Sequence, residues 1–426
     1  MVSGSAKQLW RRSRTIKRVH SSHGSTWLTM SQLIKRFLIC FLASSFLANC
    51  AGPSIFQPIP LNANPPVLAQ PIFFAFDEAA ARGYLINSNN TVIFSDASLL
   101  VLDMTNPAAP SVINAISLDN FSGQAFLDTS NKKLYVANRF SENSTDNIDQ
   151  IFRINVDEGS PNFLGLEQFD ADSNPFGVTS DGTDLFVAND QSLDFYQISD
   201  LTHRTRVDFN IQIAGTTTTV NTTNTREVAL SPSGQLLYVS NRSDKMLILN
   251  RSEIPLPDPT LELTLGGSEA VNYVLSDTTS TRGVASDSNF TYVVEGSPPS
   301  LKILSNTSLP PVTGSPQQLL ISSLEVAEVP LGNDPSEIAL DTVNHRAYVT
   351  NNQDNNVSVI DTNSFVEVVR IPLNTNLPSG VASGEGPFGI SVAHFGGIPF
   401  IYALNLTTNN VSIINGNTLS VVATFP

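Results

Sequence analysis

Cysteine is nearly missing from this sequence: Cys40 and Cys50 are the only two, and both lie within the first fifty residues. The body of the protein therefore has no disulfide framework and no cysteine-based metal site. Tryptophan is equally scarce, with Trp10 and Trp27 alone. Charged residues make up only 14 %, and helical spacing of apolar positions is absent, which excludes an α-solenoid. No glycine-rich loop sits inside a strand–helix–strand unit, and no Cys-x-x-Cys-His marks haem attachment, so no cofactor is expected. Positive charge is lacking in most of the chain. Residues 1–49 hold eight Lys/Arg and no Asp or Glu, which leaves 15 basic against 38 acidic residues beyond them. A net charge near −23 in that part argues against nucleic acid as a partner and supplies no basic patch for anionic lipid.

What is present begins with an address. From Met30 the text reads MSQLIKRFLICFLASSFLANC: Lys35 and Arg36 precede a mostly apolar run from Phe37 to Leu47. That run is too short to span a bilayer and suits the core of a signal peptide over residues 30–49. Leu47-Ala48-Asn49-Cys50 resembles the bacterial lipobox, in which the cysteine is diacylated, although Asn49 stands where a small residue is usual. Cys50 is thus the expected lipidation site and the only contact with membrane. Residues 1–29 read as an upstream misassigned start, since a signal beginning at Met30 is complete. Arg11-Arg12-Ser13-Arg14 faintly resembles a twin-arginine signal but lies far from the apolar core. The segment 50–70 is proline-rich, with five prolines between Pro53 and Pro66, and reads as an extended spacer.

Residues 71–426 repeat themselves. An aromatic residue, two apolar or small residues and Asn recur as Tyr84 to Asn87, Tyr135 to Asn138, Phe186 to Asn189, Tyr238 to Asn241, Tyr348 to Asn351 and Tyr402 to Asn405, with Tyr292 to Glu295 as a variant. The last positions are spaced by 51, 51, 52, 54, 56 and 54 residues. Before each phrase lies a short apolar strand and a polar turn, such as Ser231-Pro232-Ser233-Gly234. An alternating strand and a further β-rich segment follow it. Four short strands per repeat describe a propeller blade, and the spacing predicts an all-β fold: a seven-bladed β-propeller of four-stranded antiparallel blades. One such sheet cannot bury both faces alone, whereas seven around an axis cover one another. A β-helix would use much shorter coils. No exchanged latching strand is evident; residues 55–68 are the one candidate, and their prolines count against it.

Tyr348-Val349-Thr350-Asn351, followed by Asn355-Asn356-Val357-Ser358-Val359-Ile360-Asp361, resembles the YVTN repeat. That family comprises propellers of surface layers and exported proteins, related to the lactonase-like propellers. With both tryptophans upstream of the signal peptide, the signatures of WD-type, YWTD-type and Trp-docked quinoprotein propellers are missing. The resemblance implies an exported binding or interaction scaffold at the cell envelope, outer-membrane-anchored and facing periplasm or cell surface. The alternative it implies is a lactonase-like or other small-ester hydrolase, for which no catalytic residue can be mapped.

In a propeller the first strand of each blade starts, and the second ends, around one mouth of the axial channel. Asn87, Asn138, Asn189, Asn241, Asn351 and Asn405 would then ring that mouth, and their repetition favours a structural role in the adjoining turns. Residues that break the symmetry are the better ligand candidates: Arg226, Glu227, Arg282, Glu295 and Glu337, from blades 4 to 6. Guanidinium forks beside carboxylates could take an acidic sugar or a peptide terminus of a protein or glycan partner. An internal ion-pair network sealing the channel is the competing structural role. His203, His345 and His394 have no metal-ligand spacing and are expected at the surface. Asp170-Ala171-Asp172-Ser173-Asn174 resembles the start of a calcium loop, but Pro175 stands where Gly is required and no Glu closes it. No metal is expected.

Overall fold

In the computed structural model the described residues are 57–426, except 140–148, 218, 222–223, 243–244, 257–261, 279, 308 and 310–315. Cys50, the signal peptide at 30–49 and residues 1–29 lie outside them. The described chain is a seven-bladed β-propeller whose blades follow one another in sequence. Blade 1 runs through Pro71–Asp77, Arg82–Asn87, Ala97–Asp103 and Ser111–Leu118. The innermost strands of blades 2 to 7 are Ser122–Asp128, Gly177–Ser180, Thr225–Leu230, Thr281–Ser286, Pro335–Asp341 and Pro387–Phe395.

Burial follows position in the blade. The second strands, which carry the aromatic–x–x–Asn phrase, are buried almost throughout, as in Arg346–Asn351. They lie inside the blade with neighbours on both faces, so continuous apolar runs suit them. The outer strand of blade 6, Val366–Pro372, alternates between exposed and covered positions, as an edge with one wet face should. Tyr84, Tyr292, Tyr348 and Tyr402 are among the largest fully buried side chains. Each such burial contributes about 1.5–3 kcal/mol, which explains why the phrase keeps its aromatic residue.

Blades 3 and 4 depart from the four-stranded plan. Leu263–Gly266 adds to the outer strand of blade 3 in parallel, and Gln317–Leu319 adds to that of blade 4 in the same way. Both fifth strands come from the connection between the third and outer strands of the following blade.

The ring closes without strand exchange, because the four strands of blade 7 are consecutive in the chain. Blade 1 meets blade 7 through one cluster that includes Leu68, Phe74, Leu100, Tyr402, Leu404 and Phe425. Across this seam Ser391 Oγ donates to the Phe74 carbonyl (2.6 Å), and Tyr402 Oη donates to that of Pro107 (3.1 Å). Residues 57–70 hold no strand, so they do not latch the ring by sheet pairing. They are nevertheless folded onto the blades: Ile59, Leu68 and Ala69 are buried, and the Gln70 amide donates to Asn409 Oδ1 at 2.7 Å. This part of the proline-rich stretch is a packed strap on the blades.

Candidate functional site

The innermost strands begin with a bulge, and the bulge aims the site. In blade 4, Thr225 pairs with Asn241 and Val228 with Val239, so Arg226 and Glu227 together face one residue, Ser240. The same shift occurs in blades 2, 5, 6 and 7. A bulge leaves an amide without a ladder partner and turns side chains away from the regular alternation. Here the third residue of the phrase supplies the missing acceptor: Ser240 Oγ takes the Glu227 N–H and Thr350 Oγ1 takes the Glu337 N–H, each at 3.1 Å.

The bulges direct the third residue of three innermost strands to a common point. Gln124 of blade 2 donates through Nε2 to Glu227 Oε1 of blade 4 (2.7 Å) and to Glu337 Oε2 of blade 6 (3.2 Å). Blades 2, 4 and 6 are not neighbours, so these bonds cross the axis. Glu227 Oε2 also accepts the Val284 N–H at 3.3 Å. Burial, then the charge of Glu227 and the bond to it, push the Glu337 carboxyl well above the usual carboxylate range. Glu227 is also raised by burial, against the bond to Glu337 and the charge of Arg226. Two carboxyls this close share a proton, and Glu337 is the one held neutral.

Above this plug lies a cluster of arginines. The Arg226 guanidinium carbon stands 3.5 Å from the centroid of the Phe176 ring, and Arg139 approaches the same ring at 5.0 Å. Such contacts stabilise a cation by about 0.5–2 kcal/mol. Arg226 makes no ion pair with a described residue within 4.0 Å, and its Nε is buried without a described partner. Burial, then the like charges of Arg139 and Arg242, bring its pKa down to about 9, so it remains charged at neutral pH. Arg139 falls to about 10 for the same first reason, desolvation. Its guanidinium donates to the Phe121 carbonyl and to Asn90. Arg242 is exposed, and no described partner bonds its side chain. Arg282 is spent on the seam to blade 6, donating to Asp334 Oδ1 (2.5 Å) and the Pro335 carbonyl (2.6 Å). The void beside Arg226, Arg242 and Arg282 measures about 10 Å³, room for roughly one water. Deeper along the axis, past the plug, lies a cavity of about 190 Å³ lined by Phe73, Gln124, Glu227 and Glu337 among others.

Of the candidates read from sequence, the fold brings Arg226, Glu227 and Glu337 together and sets Arg282 at their rim. Glu295 has a different task. Its Oε1 accepts the Ser280 N–H (3.0 Å), just before the innermost strand. Asn351 and Asn87 accept the Gly332 and Ala69 N–H groups in the corresponding way. Glu295 therefore stands in for an asparagine of the repeat. The asparagines are buried, and they reach the third strand of their own blade: Asn87 bonds Ser98, Asn351 bonds Ser358 and Asn405 bonds Ser412, each at 2.9 Å. They bind the blade's own strands together, beyond the turn originally expected for them.

Gln124, Phe176, Arg139 and Arg242 were not singled out from sequence. Gln124 carries a signal that could have found it, since it occupies the same column of the repeat as Glu227 and Glu337. Two histidines also sit differently from expectation. His203 is paired with buried Asp194 (3.0 Å) and with Glu262 (3.3 Å), and His394 faces Asp341 at 3.2 Å; only His345 is exposed. In the calcium-like stretch, Asp172 accepts from Ser192 Oγ at 2.8 Å and faces Arg206 at 3.6 Å, so its carboxylate already has partners.

No protein-family model matches the sequence, and no curated protein is similar to it. Solved structures are similar in fold. Kuenenia stuttgartiensis hydrazine synthase superposes with a TM-score of 0.56 at 14 % identity, over 82 % of this chain and 96 % of that one. The WD40 propeller domain of Doa1 gives 0.55 at 9 % identity, over 85 % and 97 %. The propeller domain of Myceliophteria thermophila Cps50 (Swd1) gives 0.53 at 10 %, over 81 % and 96 %. At such identities the likeness establishes the propeller fold.

Proposed function

We propose that this chain is an exported, lipid-anchored propeller of the YVTN-repeat type that works as a binding scaffold at the cell envelope. Its recognition surface is the arginine-lined mouth, and its partner is a protein that presents an acidic group there. The observation that carries this reading is Arg226: a guanidinium held on Phe176 in an acidic protein, with like charges around it and no anion bonded to it among the described residues. An unpaired cation held in place by its surroundings is complementary to an incoming carboxylate, which would take two parallel N–H bonds from the fork. The propeller neighbours fit a scaffold of this kind, since one of them is a WD40 propeller domain. A hydrolytic role finds little support in the mouth. The two carboxyls that could serve as acid and base lie under a void with room for roughly one water, and they are hydrogen-bonded to Gln124.

Two experiments test the parts separately. Labelling of cells with a radioactive fatty acid should mark the wild-type chain and fail for Cys50→Ala; label on the variant would remove the anchor from the reading. Crosslinking and capture from intact envelopes should lose its partner in Arg226→Gln and Arg242→Gln. Capture that survives both substitutions would rule out the mouth as the recognition surface. Capture abolished by glycosidase but not by protease would replace the protein partner with a glycan.

A further inference from the structure

A cavity larger than the one past the plug lies at the other end of the blades. It measures about 470 Å³, within the range of small-ligand pockets. It opens where the turns between first and second strands of blades 4, 5 and 6 meet, far from the asparagines that end those second strands.

Some seams of the ring are closed at this end by a charged pair. At the seam between blades 1 and 2, Lys132 stands just before the second strand of blade 2 and bridges to Asp77 in the corresponding turn of blade 1. At the seam between blades 6 and 7, His394 closes on Asp341 at 3.2 Å. In the seam between blades 5 and 6, the counterpart of Lys132 is His345 and the counterpart of Asp77 is Asp287. No bond joins them. The contact there is aromatic instead, Phe290 meeting Phe365 edge to face at 5.1 Å. The cavity lies beside this aromatic contact.

Its chemistry points to an uncharged ligand. Asp287 is fully engaged, accepting the N–H groups of Asn289 and Phe290 and the Tyr292 hydroxyl, each at 2.8 Å. Asp341 takes the N–H groups of Val343 and Asn344 as well as the Asn344 amide. Arg346 is paired with Asp361. The two carboxylates are thus hydrogen-bonded within their own blades and the guanidinium is ion-paired, which leaves the neutral side chains to meet a ligand. The lining side chains left without a described hydrogen bond are neutral hydrogen-bonding groups: Ser288, Asn289, Thr342, His345 and Asn363. One half-buried ring, Phe290, lies among them. Hydroxyls and amides that both donate and accept, spread around an apolar ring, match a pyranose, whose hydroxyls do the same around an apolar face.

The geometry points to a binding site for a neutral hexopyranose in the pit between blades 5 and 6, independent of the arginine-lined mouth. The test uses the full chain with ¹⁵N-labelled histidine rings, titrated to saturation with methyl β-D-glucopyranoside, N-acetyl-D-glucosamine and D-glucuronate. One or both neutral sugars should shift the His345 ring signal and leave His203, in blade 3, in place. Asn289→Ala and Asn363→Ala, at exposed positions whose side chains make no described hydrogen bond, should each weaken the response about tenfold. Phe290→Leu should abolish it, with circular dichroism reporting that the fold persists. The site is refuted if neither neutral sugar moves His345, if glucuronate alone moves it, or if both alanine variants bind as the wild type does.

Discussion

Replacing Glu337 by glutamine should stabilise the protein at neutral pH, although the residue is buried in the middle of a hydrogen-bond network. Burial and the neighbouring Glu227 raise the Glu337 pKa well above its ordinary value of 4.5. Above that value the unfolded chain ionises this carboxyl while the folded chain keeps it protonated, so the unfolded state binds fewer protons and stability falls as pH rises. Each pH unit spent in that condition costs about 1.4 kcal/mol. The penalty grows over the whole pH range in which only the unfolded chain is ionised. Glutamine has the shape of the protonated acid and removes the penalty. Its amide can donate to Glu227 while its carbonyl still accepts from Gln124. Thermal unfolding of Glu337→Gln should therefore show a midpoint a few degrees above wild type at pH 7 to 8. The gain should shrink toward pH 5 and vanish near pH 4, where both states of the wild type are protonated. Glu227→Gln/Glu337→Gln should lose the gain, because Arg226 then has no carboxylate near it. A midpoint that falls at pH 8, or a gain of equal size at pH 4 and pH 8, would show that Glu337 is ionised in the fold and that no proton is shared.

Other substitutions probe the same architecture. Thr350→Val should cost about 1–3 kcal/mol in chemical unfolding, because the buried hydroxyl accepts from the Glu337 amide and donates to the Phe388 carbonyl at 2.6 Å; a neutral effect would mean that the bulge does not need its acceptor. Gly283→Ala should cost about 1–3 kcal/mol by overpacking, since its new Cβ would lie 2.9 Å from the Glu337 Cα and from the Ser336 carbonyl oxygen. A panel of lactones should show no turnover above the uncatalysed rate in wild type. Turnover that is present and lost in Glu227→Gln would restore the hydrolytic reading.

The blade count was legible because burial repeats: each blade needs an aromatic residue and two small or apolar ones in its second strand, so Tyr348-Val349-Thr350-Asn351 and its relatives recur at blade spacing. The asparagines could be assigned to structure for the same reason. Closure of the ring was harder to read, since the blade 1–7 seam rests on side-chain packing around Phe74 and Tyr402, and packing between distant segments leaves no local pattern. Convergence of Arg226, Glu227 and Glu337 followed from their place in the repeat. The roles of Phe176 and Arg139 did not, because a cation over a ring is set by the relative tilt of two blades. Glu295 occupies the asparagine column of the repeat and takes an asparagine's hydrogen bond there.

That column logic also explains why the plug is polar and has three members. The column of the repeat that holds Gln124, Glu227 and Glu337 runs Phe73, Gln124, Gly177, Glu227, Gly283, Glu337 and Gly389 around the ring. Glycine stands wherever the next blade's backbone presses close: a Cβ on Gly177 would lie 2.7 Å from the Arg226 carbonyl oxygen, and one on Gly389 would lie 2.4 Å from that of Ile72. Near an axis there is too little circumference for seven side chains at one level, so small and large residues must alternate. Seven is odd, and alternation fails once. The failure falls between blades 1 and 2, where blade 2 moves its close approach one residue earlier, to Gly123 against Phe176. That displacement frees the third position for Gln124. Its amide then has two carboxyls within reach, and a pair that would otherwise repel is held by one donor and one shared proton. The asymmetry of the mouth thus begins as a packing problem of an odd ring, and the unpaired Arg226 stands where that asymmetry surfaces.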